Sequence, residues 1–190
     1  MASFEEAETE ETVTCLHMMF YHPFQQEKQV FRHLNFYKRE QLRADEVAKF
    51  GRDGNICHYI LVDARVSRIQ FSLQLFRKLS GSELCFEIKN MSKRTKLTVN
   101  NLELGYLNKI DLPLKCMVGF GDYQILMHVQ EGESVDFFET FLELSQVSLL
   151  QEQYLPSLQP IPEHGISPSL FYSQAINPVE KPVEIDENEL

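Results

Sequence analysis

The sequence predicts an all-β fold, a sandwich of about ten or eleven short strands, on three observations. Apolar, β-prone runs recur between Gly, Pro and Asn turn signals at regular intervals, as sandwiches require. In the clearest run Phe71, Leu73 and Leu75 alternate with Gln70, Ser72 and Gln74, the period of two of a half-buried strand. Hydrophobic residues make up 43% of the 190-residue chain and 14 of them are Phe, enough for a real core without any Trp.

Taken in order, residues 1–11 are acidic and offer no apolar periodicity, so they are expected to be disordered. Strands are expected at 13–20, closed by His22-Pro23, at 29–36, and at 46–50. Gly51 and Gly54 punctuate the next turn, and further strands follow at 57–62, 68–75 and 84–89. Asn100-Asn101 tolerates the left-handed geometry of a hairpin turn between strands at 97–99 and 102–107. The last strands fall at 115–118 and 123–129, separated by a turn between Gly119 and Gly121. One short helix is expected after them: Ser134 suits an N-cap, and Val135, Phe138 and Leu142 share a helical face. Six prolines between 156 and 182 argue against a folded element beyond about residue 153, so 151–190 reads as an extended, disordered tail. The domain is thus assigned to 12–150.

The net charge of −10 belongs to the ends of the chain. Residues 1–12 carry five acids and no bases, 151–190 seven acids and one base, which leaves 16 acids against 17 bases in 13–150. Nucleic-acid binders show the opposite bias, so no nucleic acid is expected as partner. No apolar run approaches a membrane span and no leader precedes residue 12, so a soluble, cytoplasmic protein with no membrane partner is expected.

Catalysis is not expected either. Cys57 and His58 are adjacent, and on a strand adjacent side chains face opposite ways, so they cannot act as nucleophile and base. Gly51 to Gly54 lacks the Gly-Lys-Ser/Thr ending of a P-loop. The four cysteines and six histidines show no metal-ligand spacing, and no cofactor is expected.

Three turns carry groups that suit an anion: Gly51-Arg52, Val66-Ser67-Arg68, and Lys89-Asn90 followed by Lys93, Arg94 and Lys96. Arg52 offers a forked guanidinium, Ser67 a hydroxyl, Lys89 an ammonium and Asn90 an amide, and together at one sheet edge these would form a phosphate pocket. Gly51 permits the tight turn that precedes Arg52.

In this order, ending in Val99-Asn100, these turns resemble the forkhead-associated (FHA) phosphothreonine-binding domain. Over nearly its full length the chain is similar to the TRAF-interacting adaptors that carry such a domain, from Thr9-Glu10-Glu11-Thr12 through Leu104-Gly105-Tyr106 to Asp186-Glu187-Asn188-Glu189. The resemblance implies that Gly51, Arg52, Ser67, Lys89 and Asn90 hold phosphothreonine and its peptide, and that Thr9 is the threonine phosphorylated. It implies that Pro182, Glu184 and Glu187 form a motif read by the sixth TRAF-family ubiquitin ligase or other TRAFs. It further implies a phosphorylation-dependent homo-oligomer, an alpha-type kinase upstream, and a place in NF-κB innate immune signalling. The chain departs from the general FHA pattern in having Gln70 for a His, and Thr95-Lys96 for Asn-Gly.

Overall fold

The computed structural model describes residues 10–150. Thr9 and the motif residues Pro182, Glu184 and Glu187 lie outside the described residues, as do the expected disorder of 1–9 and of 151–190. Among the described residues no helix is long and apolar enough to cross a membrane.

Among the described residues, twelve strands form two facing sheets and one four-residue α-helix follows the first strand. In chain order these are β1 (Thr14–Tyr21), α1 (Gln25–Lys28), β2 (Arg39–Arg43), β3 (Ala48–Gly51), β4 (Tyr59–Ile60), β5 (Phe71–Arg77) and β6 (Leu84–Asn90). There follow β7 (Leu97–Val99), β8 (Leu102–Leu104), β9 (Lys109–Asp111), β10 (Lys115–Phe120), β11 (Tyr123–Gln130) and β12 (Phe137–Leu144). One sheet runs β2-β12-β1-β11-β10-β7-β8 and the other β4-β3-β5-β6-β9. Pairing is antiparallel except for β1 with β12 and β3 with β4.

Alternation puts one side of each strand into the core. Leu16, Met18 and Phe20 of β1 face Phe50, Phe71, Leu73, Phe86 and Ile88 of the other sheet, all buried. Phe71 meets Phe120 across the gap at 5.7 Å between ring centroids, and Phe86 meets Phe138 edge-on at 5.2 Å. Burying each such ring contributes about 1.5–3 kcal/mol. The two sheets also meet through a polar contact: the Tyr59 hydroxyl lies 2.7 Å from that of Thr140, and burial pushes the phenol's pKa up.

The expected helix after Ser134 is instead β12. Phe138 and Leu142 are four apart, which fits one helical face and also one strand face. The pattern is settled by Thr140, buried between them, while Phe137, Glu139, Phe141 and Glu143 face outward. The decisive partner is remote in sequence: β12 fills the edge of β1, with Thr14 opposite Phe138 and Phe20 opposite Leu144.

Smaller differences have similar causes. The expected strand at 29–36 is a series of turns whose Val30, Phe31 and Leu34 still bury their side chains. The strand β2 lies just after it and escapes sequence reading, because this polar edge strand buries only Leu42. At 57–62 only Tyr59–Ile60 pairs as strand, and β9 is a three-residue edge. The Asn100 turn is as expected, with φ of 53° and its Oδ1 accepting from the Met117 N–H at 2.9 Å.

The strand directions define two poles. Gly51, Phe71, Asn90 and the Phe120–Tyr123 hairpin lie at one, where β1 ends. The chain enters β1 at the other pole, where Thr12 accepts hydrogen bonds from the N–H groups of Glu133 and Ser134.

Candidate functional site

At the first pole, β3 ends on Gly51 against the backbone before β5. A Cβ on Gly51 would stand 2.2 Å from the Arg68 carbonyl oxygen, so only glycine lets the two segments come this close. The approach is sewn by Arg52 N–H to Ser67 O at 3.1 Å and Asp53 N–H to Arg68 O at 3.2 Å. Asp53 is fixed in turn: its Oδ1 accepts from Asn55 N–H at 3.0 Å, and its Oδ2 from Arg68 Nε and Nη2 at 3.0 and 2.9 Å. Those donors, the Asn55 N–H foremost, hold the Asp53 carboxyl below the usual carboxylate range.

This sewing sets Arg52 and Ser67 side by side on an open groove of about 640 Å³. The β6–β7 loop brings Lys93 and Arg94 to its other wall, and Ile69, Met91 and Tyr106 supply apolar surface. Lys93 Nζ sits 5.1 Å from the Tyr106 ring centroid, over its face. Arg68 is neutralised by Asp53, whereas Arg52, Lys93 and Arg94 have no acidic partner within ion-pair distance among the described residues. Three such cations around a hydroxyl form a site for a dianion.

Beneath the groove lies a closed polar network. Ser67 N–H donates to Gln70 Oε1 at 3.0 Å, and Gln70 Nε2 donates to Thr95 Oγ1 at 2.7 Å. Thr95 Oγ1 donates to Ser92 Oγ at 3.1 Å, and Ser92 Oγ lies 2.7 Å from Ser67 Oγ. Gln70 and Thr95, the two departures from the family pattern, therefore bond to each other across the two loops.

The structure separates the five expected ligand-holding residues. Gly51, Arg52 and Ser67 lie together. Asn90 is fully buried, and its amide is engaged within its own chain. Its Nδ2 donates to Leu104 O at 2.8 Å and Thr95 O at 3.1 Å, and its Oδ1 accepts from Ser92 N–H at 3.0 Å. It ties down the loop that carries Lys93 and Arg94. Lys89, next to it on β6, faces the other way, onto the outer surface of the smaller sheet between Ser72 and Lys109. It is not among the residues that line the groove.

Sequence reasoning noticed Lys93 and Arg94 as a basic patch but did not assign them to the pocket wall. It gave Ser92 no role, although a hydroxyl two residues after a buried Asn is a turn signal. Cys57 and His58 do face apart: Cys57 Sγ is 3.2 Å from Arg68 O, and His58 lies 3.7 Å from Glu46. Among the described residues no group of His, Cys, Asp or Glu is arranged to hold a metal ion.

Comparison with known proteins matches the FHA domain family to residues 48–121, the stretch that contains this groove. Over the full length of both chains, this one is 56% identical to human "TRAF-interacting protein with FHA domain-containing protein A". It is 52% identical to the mouse protein of the same name, again over the full length of both. The yeast Dun1 FHA domain, solved with a doubly phosphorylated peptide derived from Rad53, is similar over 88% of this chain and 99% of that one. Its identity is 14% and the TM-score 0.41.

Proposed function

Because this chain belongs to the family of TRAF-interacting proteins with an FHA domain, we propose that it is a phosphothreonine-reading adaptor that assembles with copies of itself and recruits a TRAF-family ubiquitin ligase. The observation that carries the reading is the groove at which Arg52, Ser67, Lys93 and Arg94 converge. Phosphorylating Thr9 adds roughly −1.5 to −2 charges and three strong acceptor oxygens. Charge-assisted hydrogen bonds to such a group contribute about 1.5–3 kcal/mol each, so the modification switches docking on.

Strand polarity favours docking between copies over self-docking. β1 carries the chain from the far pole to the groove pole over eight residues, about 25 Å at roughly 3.3 Å per residue. Thr9 precedes Thr12 by three residues, a reach of about 10 Å. Its own groove is out of range, and a neighbour's is not. A head-to-tail contact of this kind does not close and propagates into open oligomers.

Oligomers would then present many copies of the Pro182, Glu184, Glu187 motif to the sixth TRAF-family ubiquitin ligase. Avidity can exceed one-site affinity by about 10²–10⁴ without new contacts. In this reading residues 12–150 are the reader, 1–11 carry the phosphorylated ligand and 151–190 the output motif. The output is NF-κB innate immune signalling, an alpha-type kinase acts upstream, and the protein works in the cytoplasm.

Size-exclusion of Thr9-phosphorylated protein beside a Thr9→Ala control tests the assembly; a phosphorylated protein that binds phosphopeptide yet does not grow in mass would instead be a reader of another phosphoprotein. For the output, Glu184→Ala is expected to abolish ligase pull-down with oligomerisation intact.

A further inference from the structure

The network beneath the groove has a direction, and counting donors reveals it. An N–H can only donate, so Ser67 N–H fixes Gln70 Oε1 as the acceptor and turns Nε2 toward Thr95. Thr95 Oγ1 therefore accepts from Gln70, and its own hydrogen goes to Ser92 Oγ. Ser92 Oγ also receives the backbone N–H groups of Arg94 and Thr95, both at 3.1 Å. A hydroxyl oxygen has two lone pairs, and these three donors already share them. Ser92 has nothing left to accept with, so in its 2.7 Å contact with Ser67 it must donate. Ser67 Oγ then accepts. Its own hydrogen has no other acceptor among the described residues and is left for the groove, which Ser67 lines beside Arg52.

We infer that Ser92 is a positioning residue for anion binding: it holds the Ser67 hydroxyl as a hydrogen-bond donor aimed at the ligand phosphate. The inference rests on the phosphothreonine reading above and deepens it. The ring starts on the Ser67 N–H and returns to the Ser67 Oγ, so one residue's backbone orients its own side chain through three others. Ser92 is 1% exposed and Gln70 equally buried, so those two side chains are shielded from water, while Ser67 and Thr95 at the ends of the ring are half-buried. A hydroxyl already turned outward needs no reorientation when the phosphate arrives. The arrangement also explains how Gln70 and Thr95 replace the family's His and Asn as a matched pair: an amide donor meets a hydroxyl that passes the direction on.

A double-mutant cycle tests this, with calorimetric titration of a peptide spanning phospho-Thr9 into the full chain and its Ser67→Ala, Ser92→Ala and doubly substituted forms. Ser67→Ala is expected to weaken binding about tenfold or more, the effect of one lost bond to a charged acceptor. Ser92→Ala is expected to weaken it several-fold when Ser67 is present and to have almost no effect when Ser67 is already Ala. A Ser92 that merely shapes the loop would displace Lys93 and Arg94 and weaken binding equally in both backgrounds; that result overturns the inference, as does no loss in either. If Ser92→Ala does not fold, Ser92→Cys fills the site with a weak donor, and the same cycle applies. Failure of the unaltered chain to prefer phosphorylated over plain peptide would overturn the phosphothreonine reading itself, a distinct outcome.

Discussion

Gly51 and the Arg68 carbonyl approach so closely that a methyl group would lie 2.2 Å from the oxygen. The contact is backbone on backbone, so no side-chain rotation relieves it. Gly51→Ala should therefore cost about 1–3 kcal/mol or more and lower the melting temperature by several degrees. Because the same contact sews Arg52 to Ser67, phosphopeptide binding should fall with it. Thermal unfolding and calorimetric titration of one preparation check both.

Arg52 and Asn90 should fail in different ways. The exposed Arg52 side chain has no acidic partner among the described residues, so Arg52→Ala should leave the melting temperature unchanged while binding weakens about tenfold to a hundredfold. Asn90→Ala removes the amide's bonds to Thr95 O, Leu104 O and Ser92 N–H, at about 1–3 kcal/mol for each group left buried and unsatisfied. Its loss of binding should come with a clear drop in melting temperature.

The strand at 137–144 makes neighbouring phenylalanines unequal. Phe138 is fully buried against Phe86, and Phe138→Ala should cost about 3–5 kcal/mol. Phe137 is 41% exposed, and Phe137→Ala should change the denaturant midpoint little.

Acid should undo the turn at Asp53. Its carboxyl is held below the usual range by Asn55 N–H and Arg68, so the stabilisation is fully present above the unfolded-state pKa, about 3.9, and is lost as pH falls through the lower folded value. Asp53→Asn should flatten the pH dependence of stability below about pH 4, which denaturation at a series of pH values would reveal.

Thiol reactivity should also be uneven. Burial pushes Cys116 up to about 12, and it raises Cys15 and Cys57 as well. Cys85 is only half-buried, near the start of β6. Brief alkylation of the native protein at neutral pH, read by peptide mapping, should therefore label Cys85 first.

How much of this was legible in the sequence depends on the range of the interaction that decides each feature. The strand at 71–75 and the Asn100 turn are local, and both stand in the structure, although Gln70 and Ser72 are buried along with the apolar residues. Phe138 and Leu142 satisfy two periodicities, and only pairing with β1, over a hundred residues earlier, selects between them. At the site, Arg52 and Ser67 were legible because each follows a recognisable turn. The reversal between Lys89 and Asn90 had a signal too: Phe86, Ile88 and Asn90 share a parity, so an inward Phe86 carries Asn90 inward. The hydrogen-bond ring from Ser67 through Ser92 joins loops 25 residues apart, and nothing local announces it.

The parallel union of β1 with β12 also bears on how the protein is made. β1 lies inside its sheet, and both of its neighbours, β11 and β12, come from the last 30 residues of the described chain. During synthesis, Leu16, Met18 and Phe20 emerge first and have no strand beside them until residue 123 onward has left the ribosome. Contacts of such long sequence separation form late and slow folding. The domain should thus close only once β11 and β12 are made, with the apolar face of β1 left unpaired until then.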